Sequence, residues 1–152
     1  MFMGELFQKL LSNHVLVVSA LSWAAAQIIK TFINLLLTKK FEAERLVGAG
    51  GMPSAHSAFV CALAVSTANQ CGPESAEFAI AFALAAVVIY DAMGVRRAAG
   101  EQAKAINDIT DMMFKAFPQD DFYVSQLKEL LGHTPLEVLA GAILGITIAL
   151  LL

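Results

Sequence analysis

Val15-Leu16-Val17-Val18-Ser19-Ala20-Leu21-Ser22-Trp23 opens an apolar run that continues to residue 37 and contains one charge, Lys30. A helix rises about 1.5 Å per residue, so this run is long enough to cross a bilayer's hydrocarbon core of about 30 Å. Three more apolar runs follow, at residues 55–68, 78–95 and 136–152. The second is short and rich in small residues, which suits close packing against neighbouring helices. The third is interrupted near its end by Asp91 and Gly94. Composition points the same way: 58% of residues are hydrophobic, 15% are charged, and mean hydropathy is +0.68. A soluble domain of this size carries about a quarter charged residues. The expected fold is therefore all-α: an integral membrane bundle of about four transmembrane helices, forming one domain over residues 1–152.

The first run is longer than a signal-peptide core and no small-residue cleavage site follows it, so it is expected to be retained. Cys61 and Cys71 have neither metal-ligand nor redox spacing. A helix between them would hold them about 15 Å apart, too far for a disulfide. Cys61 lies inside an apolar run and reads as a small core residue.

Between the third and fourth runs lies a polar region, residues 96–131. In it Ala105, Ile106, Ile109, Met112 and Met113 recur at helical spacing, with Glu101, Lys104, Asp108 and Asp111 off that face. This pattern predicts an amphipathic helix, either lying at the membrane interface or packed on the protein's own membrane-proximal surface. Pro118 and the Asp120-Asp121 pair end it.

If each run crosses once, the end of run one, the start of run two, the end of run three and the start of run four share one face. That face carries Lys39, Lys40, Arg45, Arg96, Arg97, Lys104, Lys115 and Lys128, whereas residues 70–77 opposite hold no Lys or Arg. The positive-inside rule then places this face in the cytoplasm and both termini outside. Nothing in the charge pattern points to nucleic acid as a partner.

Two helix starts on that face carry histidines, in Pro53-Ser54-Ala55-His56-Ser57 and His133-Thr134-Pro135-Leu136-Glu137. Ser54 is an expected N-cap. Thr134 is another, with Pro135 at the first helical position and Glu137 completing a capping box. Capping accounts for Ser54, Thr134, Pro135 and Glu137, but not for a histidine at each start. Helix N-termini favour anions, so the pair suggests a phosphate site. His14, at the opposite edge of run one, reads as a boundary residue.

Pro53-Ser54-Ala55-His56 resembles the Pro-Ser-Gly-His motif of the type 2 phosphatidic acid phosphatase superfamily, which includes the vanadium-dependent haloperoxidases. The segment from His133 to Gly141 resembles that superfamily's last motif, with Glu137 where Asp is usual. The match is to the superfamily's small divergent membrane branch. It rests on three blocks in order, residues 50–57, 91–100 and 131–138, and covers roughly residues 30–145.

The resemblance implies a phosphohydrolase in which His133 attacks phosphorus to form a phosphohistidine. Glu137 would orient that imidazole, and His56 would protonate the leaving oxygen. Ser54 and the N–H groups around Ala55 would hold phosphate oxygens. The cations are not singled out by the motif. The superfamily places six residues between its Lys and Arg-Pro, whereas five separate Lys39 from Arg45 here, Leu46 follows Arg45, and Lys30 competes for the lysine role. Gln126-Leu127 stands where the superfamily has Ser-Arg, so Arg96 and Arg97 are candidates to take over phosphate binding, with snorkelling to anionic headgroups the alternative. Asp91, costly in an apolar run unless paired, is expected to meet Arg96, Arg97 or Lys30 and to support the site from behind.

The implied substrate is a lipid phosphate or pyrophosphate in the cell membrane, hydrolysed without metal or cofactor. The alternative is a protein that binds or transports a phosphorylated lipid without turnover. The sequence leaves a homo-oligomer open.

Overall fold

The structure is a computed structural model and describes residues 2–39, 51–116, 127 and 133–152, with the side chains of residues 2 and 95–97 outside the description. The described residues form six helices: α1 (Phe2–Leu11), α2 (His14–Thr38), α3 (Ala55–Cys71), α4 (Ala76–Met93), α5 (Val95–Ala116) and α6 (Pro135–Leu151). The four apolar runs correspond to α2, α3, α4 and α6. Differences lie at the ends: α3 continues three residues beyond the apolar run, and α4 stops at Met93 with Gly94 as its C-cap. The short α1 was not expected from the sequence. Arg45, Pro118, Asp120, Asp121, Gln126 and Lys128 lie outside the described residues.

The starts of the helices follow from local chemistry. Asn13, Ser54, Ser75 and Thr134 each cap the following helix by accepting a hydrogen bond from a backbone N–H three residues on. Thr134 and Glu137 form the full capping box, with Pro135 in the first turn. These oxygens satisfy donors that the first helical turn leaves unpaired.

α3 is the central helix, packed against α2, α4 and α6. Its buried positions are nearly all small: Ala55, Ser57, Ala58, Val60, Ala62, Ala64, Ser66 and Thr67. α6 approaches so closely that a Cβ at Gly141 would strike the carbonyl oxygen of Ser54, and one at Gly145 that of Ala58. Two small residues four apart on one helix face thus bring the backbones into contact, which is how helices associate where lipid removes the hydrophobic drive between them. The large apolar side chains point the other way. Ile28, Phe32 and Leu36 of α2, Ile80, Phe82 and Val87 of α4, and Leu136, Leu139, Ile143 and Leu150 of α6 are all exposed. Such an outer surface is unsuited to water and matches a bilayer. α2 and the stretch starting at α4 are each long and apolar enough to span, and α6 is a shorter apolar helix. The protein is a helical membrane bundle with its small, hydroxyl-bearing helix inside.

Long-range hydrogen bonds fix the helix directions. Ser54 N–H donates to Glu137 O, joining the starts of α3 and α6, and His133 N–H donates to Ala92 O at the end of α4. At the other end Asn69 of α3 bonds Ala149 O, and His14 Nε2 lies 3.2 Å from Leu152 O. The end of α2, the start of α3, the end of α4 and the start of α6 therefore lie at one end of the bundle. α5 buries Gly100 and Asn107 while Ile106, Ile109, Met112 and Met113 stay exposed. Its apolar face is thus uncovered by the described residues. Cys61 and Cys71 are both free, and Cys61 is half-buried rather than a core residue.

Candidate active site

His133 occupies the residue before the N-cap of α6, so its backbone is set by the start of that helix and its side chain can fold back over the first turn. Its Nδ1 lies 3.1 Å from Glu137 Oε2, and the same oxygen accepts the Thr134 N–H at 2.9 Å. The capping box thus does double duty. The carboxylate that satisfies the helix start also grips the imidazole, four residues away in sequence and adjacent across one turn. With the carboxylate accepting at Nδ1, the neutral ring carries its proton there and has its lone pair on Nε2. His133 is 3% exposed, and its backbone is held by Ala92 O.

Ser54 contributes from α3. It is fully buried, accepts the Ser57 N–H and the Ser57 hydroxyl, and lies against α6 through its bond to Glu137 O. Ala55 is buried beside Ala26 and Ala58. The structure thus brings His133, Glu137, Thr134 and Ser54 into one connected cluster.

Lys30 and Lys39 are separated by the structure. Lys30 is 4% exposed and lies against the turn leading into α3, where a Cβ at Gly51 would come 3.2 Å from Lys30 Cγ. Gly51 has φ +85, a left-handed conformation suited to glycine, so the backbone calls for glycine at this point. Lys39 is the exposed C-cap of α2, in αL conformation, more than two turns beyond. Asp91 is half-buried in the last turn of α4, next to the residue that accepts from His133. Arg96 and Arg97 belong to the first turn of α5, directly after it.

His56 takes a different face. Ala58, which meets Gly145 of α6, lies two residues past His56 on the helix, a rotation of about 200°, so His56 points away from α6. It lines a cavity of about 330 Å³ with Ala20, Trp23, Phe59, Val60 and Val88. Sequence reasoning also missed Asn107. Its amide donates to Leu127 O and accepts the Leu127 N–H, both at 2.9 Å, clasping the chain six residues before His133. The one available signal was a single Asn interrupting the pattern of α5. Among the described residues no group of three or more His, Cys, Asp or Glu could hold a metal ion.

A polytopic helical membrane protein with a carboxylate-held histidine at one end of its bundle is the class that this fold and site define. The family model described as the Divergent PAP2 family matches residues 11–148, and the chain belongs to that family. It is also 39% identical over 153 residues to the uncharacterized membrane protein YuiD of Bacillus subtilis (strain 168), with 95% of this chain and 96% of the relative covered. No solved structure matches the chain.

Proposed function

We propose that the protein is a membrane phosphatase that hydrolyses a lipid phosphate or pyrophosphate through a phosphohistidine. The observation that carries this reading is the bond from His133 Nδ1 to Glu137 Oε2, which leaves Nε2 as the nucleophilic atom. In the first step Nε2 bonds to phosphorus and the bond from phosphorus to the lipid oxygen breaks, with His56, whose side chain must swing from the cleft over the start of α3, delivering a proton to that oxygen. In the second, water attacks the phosphohistidine and gives its proton to His56, so inorganic phosphate leaves and both imidazoles return to their starting forms. Glu137 keeps the ring oriented and offsets the positive charge that develops on it. Lys30, Ser54 and the first N–H groups of α3 around Ala55 hold phosphate oxygens, with Arg96 and Arg97 completing the anion site. Lys39 and Arg45 are the alternative cations, and Asp91 supports the basic side chains. The site faces the cytoplasm, by the distribution of Lys and Arg.

A second reading has its own support. His56 lines the cavity on the side of α3 away from α6, an arrangement suited to a protein that binds or transports a phosphorylated lipid without cleaving it. Phosphate release from purified protein in lipid-phosphate vesicles separates the two. Turnover is expected from the parent and not from His133→Ala or His56→Ala. Glu137→Gln should lose about 10²–10⁴-fold, since an amide can turn its NH2 toward Nδ1 and impose the wrong tautomer. A parent that binds phosphatidate and releases no phosphate refutes the enzyme and leaves the binding protein.

A further inference from the structure

α2 and α4 both pack on α3, yet among the described residues they do not pack on each other. The result is a cleft with α3 as its floor and the two membrane-crossing helices as its walls. It is the cavity of about 330 Å³ described above, at the small end of ligand-sized pockets. Apart from His56 its lining is apolar, and His56 sits in the first turn of α3, at the end of the bundle that holds Ser54 and His133.

The α2 wall changes character along its length. Ala20, Trp23, Gln27 and Lys30 are spaced three, four and three residues apart, so they form one stripe on that helix. Ala20 and Trp23 line the cleft. Gln27, one turn nearer the site, is 5% exposed, and its Oε1 has no hydrogen-bond partner among the described residues. Lys30, nearly a turn further, lies against Gly51. A buried acceptor without a donor costs about 1–3 kcal/mol, and Gln27 stands just beyond the residues that line the cleft, between them and Lys30.

We propose that this cleft holds one hydrocarbon chain of a phosphate-bearing membrane lipid whose headgroup lies at the His133 end. The proposal rests on the phosphate site described above and adds where the tail lies and that one chain is accommodated. The occupant follows from the setting: the walls are membrane-crossing helices, so the cleft opens onto hydrocarbon. The polarity of the stripe orients the lipid, with its anion toward Lys30 and its methyl end toward Ala20.

Trp23 is the sole tryptophan and lies in the cleft, so it supplies the readout. The full chain is reconstituted in phosphatidylcholine vesicles with a small fraction of a single-chain lipid brominated on its tail. One lipid carries a phosphonate headgroup, which resists hydrolysis, and the other carries phosphocholine. Contact with bulk lipid quenches Trp23 equally with either. A bound chain makes the phosphonate lipid quench at tenfold or lower mole fraction and saturate. Ala20→Phe or Val88→Phe, either of which fills the cleft, should abolish that difference while far-UV circular dichroism stays that of the parent. Equal quenching by the two lipids, or a difference that survives both fillings, overturns the proposal. Because the readout needs no turnover, headgroup-dependent quenching without phosphate release would sink the phosphatase reading and leave the cleft assignment standing.

Discussion

Gly141→Ala should loosen the bundle at the point where α6 crosses α3. The new Cβ would strike the Ser54 carbonyl oxygen and approach the Ser54 carbonyl carbon and nitrogen to 3.0 and 3.1 Å. All three are backbone atoms of a helix start, so they cannot swing aside as a side chain would. α6 must instead move off α3. Overpacking of this kind costs about 1–3 kcal/mol. The movement also stretches the 2.9 Å bond from Ser54 N–H to Glu137 O, one turn earlier, at about 1 kcal/mol. Against this, alanine favours a helix over glycine by about 1 kcal/mol. The net expectation is a destabilisation of about 1–3 kcal/mol, measured by SDS titration in mixed micelles with far-UV circular dichroism. Gly145→Ala meets the Ala58 backbone in the same way, and the double variant should cost less than the sum, since one displacement relieves both contacts. Gly4→Ala is the control: nothing lies within 4 Å of its added Cβ, so it should be neutral or slightly stabilising. A Gly141→Ala protein as stable as the parent, or more so, would show that helix propensity wins and that the backbones are not in contact.

Two predictions concern the helix starts and the direction of the bundle. Thr134→Ala should cost about 1 kcal/mol in the same titration through loss of the cap, and Ser54→Ala more, because it also strands the buried Ser57 hydroxyl that donates to it. In a Cys61→Ala background, impermeant maleimide should label Met52→Cys from one side of oriented vesicles and the native Cys71 from the other; labelling of both from one side would overturn α3 as a membrane-crossing helix.

Much of the helical framework was legible because its causes are local. Asn, Ser or Thr three residues ahead of a backbone N–H, Pro in a first turn, and apolar runs of spanning length act within about four residues of themselves, and Ser54, Thr134 and Glu137 cap where the sequence places caps. The contact between His133 and Glu137 was legible for the same reason, as a pair one helical turn apart. The Gly141 and Gly145 spacing was also visible, as a small-residue pair four apart, but the sequence does not say which helix fills it.

What only the tertiary structure decided depends on how helices distant in sequence cross. Lys30 rather than Lys39 lies against the Gly51 turn because α2 passes α3 at the level where Ala26 meets Ala55 and Ala58. His56 lines the cleft and not the His133 side because α6 occupies the other face of α3. Asn107 finds Leu127 across 20 residues of chain. The sequence by itself determined where the capped helices begin, at Ser54 and Thr134. Their meeting was left to packing, because backbone contact at Gly141 and Gly145 sets the α3–α6 approach, and that approach sets which way each side chain faces.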